Sequence, residues 1–230
     1  TKHILGLSLV RAQNENFIQD VRIDASSRTL TGLRLSYARS NPLWSGAFDG
    51  SVHLEQGLRA FGGENGDALP DGSPEPQYLL GGFDLDYGRA VSADNRLSWS
   101  APFSGQVSAD RLFGTQACSL GGASTVRGSR TSLASGSSGI LLRNELNYQA
   151  LTAPSDFANS LLLYGALDYG HVFAQDDLDI ADADLFGGAI GLKLSGDSYS
   201  FDLSYQEILS ASGGIERPEG SLFATFDIVF

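Results

Sequence analysis

Apolar and polar residues alternate along almost the whole chain, and this alternation limits the folds open to it. In the segment Lys2–Arg11, for example, Leu5, Leu7 and Leu9 share one face of an extended strand. Alternation of period two is the main sequence signal of a β-strand. Similar runs begin near Arg28, Trp44, Tyr78, Leu97, Ile140, Leu161, Phe186, Tyr199 and Leu222. With a weaker segment at Asn16–Ala25, the pattern predicts about eleven strands, and no stretch has helical periodicity.

Charge content indicates which kind of β protein this is. Charged residues make up 18% of the chain and the mean hydropathy is −0.08, whereas soluble domains contain about 25% charged residues. No apolar run approaches the ~18 residues of a membrane-spanning helix. A soluble β-sandwich or β-solenoid would not leave whole outward faces without charge. We therefore expect an all-β, antiparallel transmembrane barrel, whose strands alternate lipid-facing and lumen-facing residues.

Short and long connections between the predicted strands tend to alternate. The short ones are Ser40–Pro42, Ser92–Asn95 and Gly196–Ser198, and the long ones are Phe61–Pro76, Ser104–Ser138, Phe173–Asp182 and Ser210–Gly220. Outer-membrane barrels have short turns at one end and long loops at the other. The connections therefore favour the same fold.

The strand number also bears on how much of the barrel the chain contains. Bacterial barrels have even strand numbers, and each unpaired backbone group at an open edge costs several kcal/mol in lipid. The chain has no methionine. We therefore expect residues 1–230 to form the C-terminal part of a barrel, with further strands before Thr1. Phe226 and Phe230 in the last strand resemble the terminal aromatic signal for barrel assembly.

The longest predicted connection, residues 104–138, contains the most distinctive motifs. Its middle carries the pair Gly121-Gly122 and the tripeptide Val126-Arg127-Gly128. Loops longer than ~15 residues in compact folds are usually functional or disordered. The glycines allow a tight turn at a hairpin tip, and an arginine fork can form two parallel hydrogen bonds with a carboxylate.

Two later strands carry candidate partners for this loop. One strand contains Arg143 and Glu145, and the next contains Asp168 and Gly170. Asp168 lies opposite the strand face that carries the apolar leucines of this segment. It is predicted to point into the lumen, because a charge on the lipid face costs up to ~4 kcal/mol at mid-membrane for Arg or Lys and somewhat less for Asp.

Taken in order, these motifs resemble the two-partner secretion (TpsB) transporters of the haemolysin secretion/activation type, over essentially the whole chain. The resemblance implies a sixteen-stranded outer-membrane barrel preceded by a periplasmic POTRA module. It implies type V secretion of a large TpsA-type exoprotein, such as a haemolysin, adhesin or contact-dependent toxin. It also implies that residues 104–138 fold into the barrel and that Arg127 at the loop tip pairs with Asp168. Gly121, Gly122, Arg143 and Glu145 would support this contact.

Three positions depart from the family pattern. Ser129 stands where an aromatic residue usually follows the tip glycine, Ser138 replaces an aspartate, and Ala166 replaces a residue that is often bulky. These departures concern the packing of the loop tip. They leave the predicted fold unchanged.

Several other functions are disfavoured by composition. The net charge of −12 argues against a nucleic-acid partner, which needs a basic surface. The single cysteine, Cys118, excludes an internal disulfide framework and a cysteine-based zinc site. No catalytic site, metal site or cofactor is expected. The acidic cluster Asp176, Asp177, Asp179, Asp182 and Asp184 lacks the glycine and glutamate of an EF-hand, and the histidines His3, His53 and His171 lie on separate strands.

Two alternative functions stay open at this point. One is a barrel-assembly factor of the same superfamily, which would insert other barrels into the membrane. The other is a passive porin, which would keep a steady open pore. The expected partners beyond the exoprotein are the lipid bilayer, lipopolysaccharide and the barrel-assembly machinery during biogenesis.

Overall fold

The computed structural model describes residues 1–22, 27–69, 72–151, 158–175 and 182–229. The strands are β1 (Lys2–Asn14), β2 (Phe17–Ile18), β3 (Val21–Arg22), β4 (Arg28–Leu43), β5 (Gly46–Gly57), β6 (Leu79–Ala90), β7 (Leu97–Ser100), β8 (Phe103–Val107), β9 (Cys118–Leu120), β10 (Ala134–Gly136), β11 (Gly139–Gln149), β12 (Ser160–Val172), β13 (Ala183–Ser195), β14 (Tyr199–Ala211) and β15 (Ser221–Ile228). A 3₁₀ helix spans Gly66–Ala68. Within these ranges, no helix is long and apolar enough to cross a membrane.

Eleven strands form one antiparallel sheet in which neighbours in sequence are neighbours in space. The order is β1, β4, β5, β6, then β7 and β8, then β11 to β15. Strands β7 and β8 occupy one position between β6 and β11. They are separated by Ala101 and Pro102, and proline has no N–H for the ladder. The predicted all-β, antiparallel class and strand number are confirmed.

Burial alternates along the strands as the sequence pattern predicts. On β12, Leu163, Leu167 and Tyr169 are exposed. The intervening Ala166 and Asp168 are buried. We call the face with the exposed apolar side chains the outer face and the opposite one the inner face.

The strands are joined alternately at two ends of the sheet. One end has the connections 44–45, 91–96, 150–159 and 196–198, and the other has 15–27, 58–78, 108–138, 173–182 and 212–220. The three longest connections, 15–27, 58–78 and 108–138, all lie at the second end, but 173–182 and 212–220 are no longer than 150–159. The connection 44–45 consists of Trp44 and Ser45, both with positive φ (46° and 62°), as a two-residue hairpin turn of type I′ requires. The predicted turn at Ser40–Pro42 was placed too early, since those residues belong to β4.

Two further predicted boundaries differ from the structure. Of the segment Asn16–Ala25, the described residues form the small hairpin β2–β3 outside the main sheet; the eleventh strand comes instead from the interruption between β7 and β8. Residues 104–107 of the predicted loop belong to β8. The remaining residues 108–138, called the long loop below, contain the hairpin β9–β10.

The largest buried cluster lies between the long loop and the inner face of the sheet. Its members are Leu120, Val126, Val172, Ala183, Leu185 and Ile208. Leu120 and Val126 come from the loop, and the others come from β12, β13 and β14 or their ends. The loop therefore covers apolar side chains that the inner face of the sheet would otherwise expose.

Candidate functional site

The long loop turns back towards the sheet at its paired glycines. Gly121 and Gly122 have φ of +102° and +101°, a region that side-chain-bearing residues rarely adopt. The Thr125 hydroxyl then donates a hydrogen bond to the Gly121 carbonyl at 2.9 Å. The result is a compact tip that presents Val126 and Arg127 to the inner face.

The tip arginine contacts one carboxylate of the sheet through three N–H groups. Arg127 Nε lies 2.6 Å from Asp168 Oδ2 and Nη2 lies 2.7 Å from Oδ1. The Arg127 backbone N–H also donates to Oδ2 at 3.1 Å. Asp168 is fully buried and Arg127 is 4% exposed. Two-pronged, charge-assisted contacts of this kind are among the strongest hydrogen bonds in proteins.

A second carboxylate extends this contact along the inner face. Glu145 Oε2 accepts from Arg127 Nη1 at 2.6 Å, and its Oε1 accepts from Lys193 Nζ at 2.7 Å. Arg143, directly opposite Asp168 in the β11–β12 register, has its Nε 3.6 Å from Asp168 Oδ1. The site thus combines three cations with two carboxylates.

The electrostatics keep the tip arginine protonated. Burial works against the charge of Arg127, but hydrogen bonds and charge from Asp168, and then from Glu145, outweigh it and raise the pKa of the guanidinium above its ordinary value. The arginine therefore acts as a permanent cation.

Glycines give the tip room to approach the sheet. A Cβ atom on Gly187 of β13 would lie 2.0 Å from the Arg127 carbonyl oxygen, and one on Gly170 would lie 2.9 Å from Val126 Cγ2. Gly128, with φ of +121°, passes so close to β14 that a Cβ would lie 2.2 Å from the carbonyl carbon of Glu207. Close backbone packing therefore holds the tip on the inner face, in addition to the charged groups.

Other predicted residues lie away from this contact. Ser129 donates to the Thr131 carbonyl at 2.7 Å, and Ser138 bonds the backbone of Ser108 at the base of the loop. Phe226 is 60% exposed on β15. Phe230, Asp176, Asp177 and Asp179 lie outside the described residues.

The structure brings one histidine to the acidic segment. His171 contacts Asp184 through Nδ1 at 2.9 Å and Asp182 through Nε2 at 3.3 Å. The candidate ligand atoms of the three residues lie within 4.8 Å of one another. Asp184 lies opposite His171 in the β12–β13 register, and this contact was not predicted because it depends on that register.

The predicted site residues did not include Lys193 or Gly187. Lys193 is one of two lysines in the chain, and its place in an alternating strand could have indicated a lumen-facing charge. Gly187 begins a Gly-Gly pair within a predicted strand, which often indicates close approach of another backbone.

We expect the two members of the Glu145–Lys193 pair to differ in importance. Replacing Lys193 with glutamine should cost at most about 1 kcal/mol, because partly exposed ion pairs are weak and this side chain is 39% exposed. Glu145→Gln should cost about 1.5–3 kcal/mol, since Glu145 also accepts from the buried Arg127. The measurement is urea unfolding of the full-length protein in lipid bilayers, followed by gel mobility. A larger loss for Lys193→Gln would contradict this assignment.

A family of known proteins matches most of the chain. The family described as "Haemolysin secretion/activation protein ShlB/FhaC/HecB" matches residues 1–194. The outer membrane transporter CdiB of Dickeya dadantii is 30% identical over 192 residues, which cover 84% of this chain and 34% of that protein. The hemolysin transporter protein HpmB of Proteus mirabilis is 26% identical over 146 residues, covering 63% of this chain and 26% of that protein. The chain thus spans about a third of the length of its first curated relatives.

Solved structures agree with this result. CdiB from Escherichia coli superposes with a TM-score of 0.90 at 25% identity, over 99% of this chain and 42% of that chain. CdiB from Acinetobacter baumannii has a TM-score of 0.75 at 20% identity, over 98% of this chain and 39% of that chain, and shows the shared fold.

Proposed function

This chain belongs to the ShlB/FhaC/HecB family of haemolysin secretion/activation proteins, and we propose that the full-length protein secretes a large partner exoprotein through a pore whose wall this chain helps to form. The chain is part of an outer-membrane β-barrel of a transporter family and not of an enzyme. The proposed cargo is a TpsA-type exoprotein of the haemolysin, adhesin or contact-dependent toxin class. An upstream periplasmic POTRA module would capture it.

The proposal extends to the long loop, which we infer to be a plug inside the pore. The observation that supports it is the tip contact, in which Arg127 donates three hydrogen bonds to the fully buried Asp168. A loop held to the inner face of a barrel wall narrows the lumen, and its release widens the path. The tip contact would therefore control passage of the cargo.

The test is deletion of the full-length gene, followed by mass spectrometry of the secreted and cell-surface proteins. We expect loss of one large exoprotein, restored by the wild-type gene but not by Arg127→Ala, since in that variant the tip can no longer return to Asp168 and Glu145 and passage of the cargo is no longer controlled. Loss of many barrels would assign the protein to barrel assembly instead. An unchanged set of proteins would favour a passive porin.

A further inference from the structure

The connection between β5 and β6, residues 58–78, is fastened to the inner face by a buried carboxylate. Glu55 of β5 is 1% exposed, and its Oε1 accepts a hydrogen bond from the Tyr78 hydroxyl. Its Oε2 lies 2.6 Å from Nε of Arg34, the residue opposite on β4. Both carboxylate oxygens are therefore partnered, as a buried charge requires.

Room for this carboxylate comes from a glycine on the neighbouring strand. A Cβ atom on Gly32 would lie 2.8 Å from Glu55 Oε1. The sequence thus leaves space for the acidic side chain at a position where most residues would displace it.

Tyr78 connects this carboxylate to the long loop. Tyr78 is 1% exposed and packs with Leu80 and Leu112 in one buried cluster. Leu112 belongs to the first segment of the long loop, residues 108–112, which we call the root. The same aromatic side chain therefore contacts the sheet through its hydroxyl and the root through its ring cluster.

Hydrogen bonds fix the root to the 58–78 connection and to the start of β6. The Glu75 N–H donates to the Arg111 carbonyl at 2.7 Å, and the Leu79 N–H donates to Asp110 Oδ2 at 2.8 Å. Arg111 Nη1 donates to the Gly72 carbonyl at 2.9 Å. The root cannot shift relative to this connection without breaking these bonds.

We propose that Glu55 and Tyr78 are positioning residues that form a second anchor of the long loop, at its root and separate from the tip. The contacts that form this anchor do not depend on the proposed transport function. The role of the anchor in gating the pore rests on that function. Release of the tip alone would then let the loop swing about a root that stays in place.

Cys118 provides the reporter for the test. It lies in β9, between the root and the tip, and is partly buried. Its thiol packs so close to the start of β11 that a Cβ atom on Gly139 would lie 2.7 Å from the sulfur. Displacement of the hairpin away from β11 therefore exposes the thiol to a maleimide reagent.

The experiment measures the labelling rate of Cys118 in the full-length protein in lipid vesicles, with other cysteines replaced. Tyr78→Phe leaves Glu55 with an unpartnered oxygen, so we expect labelling to rise about tenfold, as loss of a hydrogen bond to a charged group implies. Glu55→Gln is the second variant and should raise the rate in the same direction. Arg59→Gln is the control, because it breaks a surface pair with Asp67 in the same connection without contacting the anchor.

Gel mobility before and after heating identifies the variants that have folded. If Cys118 is labelled within about twofold of the wild-type rate in both folded variants, the second anchor is overturned. This holds even if deletion of the gene abolishes secretion of an exoprotein. An increased rate would support the anchor even if deletion of the gene left the secreted proteins unchanged. The two proposals therefore fail separately.

Discussion

Replacement of Asp168 by alanine in the full-length protein is expected to release the loop tip and leave the pore open. Asp168 accepts hydrogen bonds from three N–H groups of Arg127. Without it, the arginine is left in a buried position with Glu145 alone. Breaking a buried ion pair by removing one partner costs about 3–5 kcal/mol. This corresponds to a shift of more than about a hundredfold towards the released state.

Single-channel recording of the purified full-length protein in planar bilayers provides the measurement. We expect Asp168→Ala to spend most of its time in a large-conductance state that the wild type visits rarely. Asp184→Ala is the matched control, because this aspartate on the next strand bonds His171 and Tyr169 rather than the loop. Conductance like that of the wild type in Asp168→Ala would show that the tip contact does not obstruct the pore.

The fold follows from the sequence because its cause is periodic and local. One face of each strand meets lipid and the other meets the lumen, so the alternation around Leu163 and Leu167 predicts which way Asp168 points. The resemblance to TpsB transporters implied that Arg127 pairs with this aspartate, and the two side chains lie 2.6 Å apart in the structure. Neither inference required knowledge of the strand register.

The other contacts of the site and of the second anchor could not be predicted in this way, because they depend on strand register and on which distant segments pack together. The contact of Lys193 with Glu145 joins β13 to β11 across β12, and a one-residue slip in either pairing would separate them. The anchor formed by Glu55 and Tyr78 links residues 23 positions apart. The extension of β8 was hidden because its glycine and serine residues weaken the apolar alternation between Phe103 and Val107.

Replacement of Gly187 by alanine is expected to have the second large effect, because the tip packs closely against β13 at this position. A Cβ atom at this position would lie 2.0 Å from the Arg127 carbonyl oxygen and 2.9 Å from Val126 Cγ1. The backbone of the tip must therefore move, although every charged group of the site is still present. We expect the same large-conductance state as in Asp168→Ala, because a tip that has moved away cannot form the three hydrogen bonds to Asp168.

Gly165→Ala is the control for this prediction, since a Cβ atom at that position on β12 meets no atom within 4 Å. The double variant with Gly187→Ala and Asp168→Ala should spend no more time in the large-conductance state than either single variant. Both changes remove the same conformation, in which the tip contacts the inner face. If the two effects add, charge and close packing act on different conformations of the loop. If Gly187→Ala conducts like the wild type, the tip does not rest against β13 when the pore is closed.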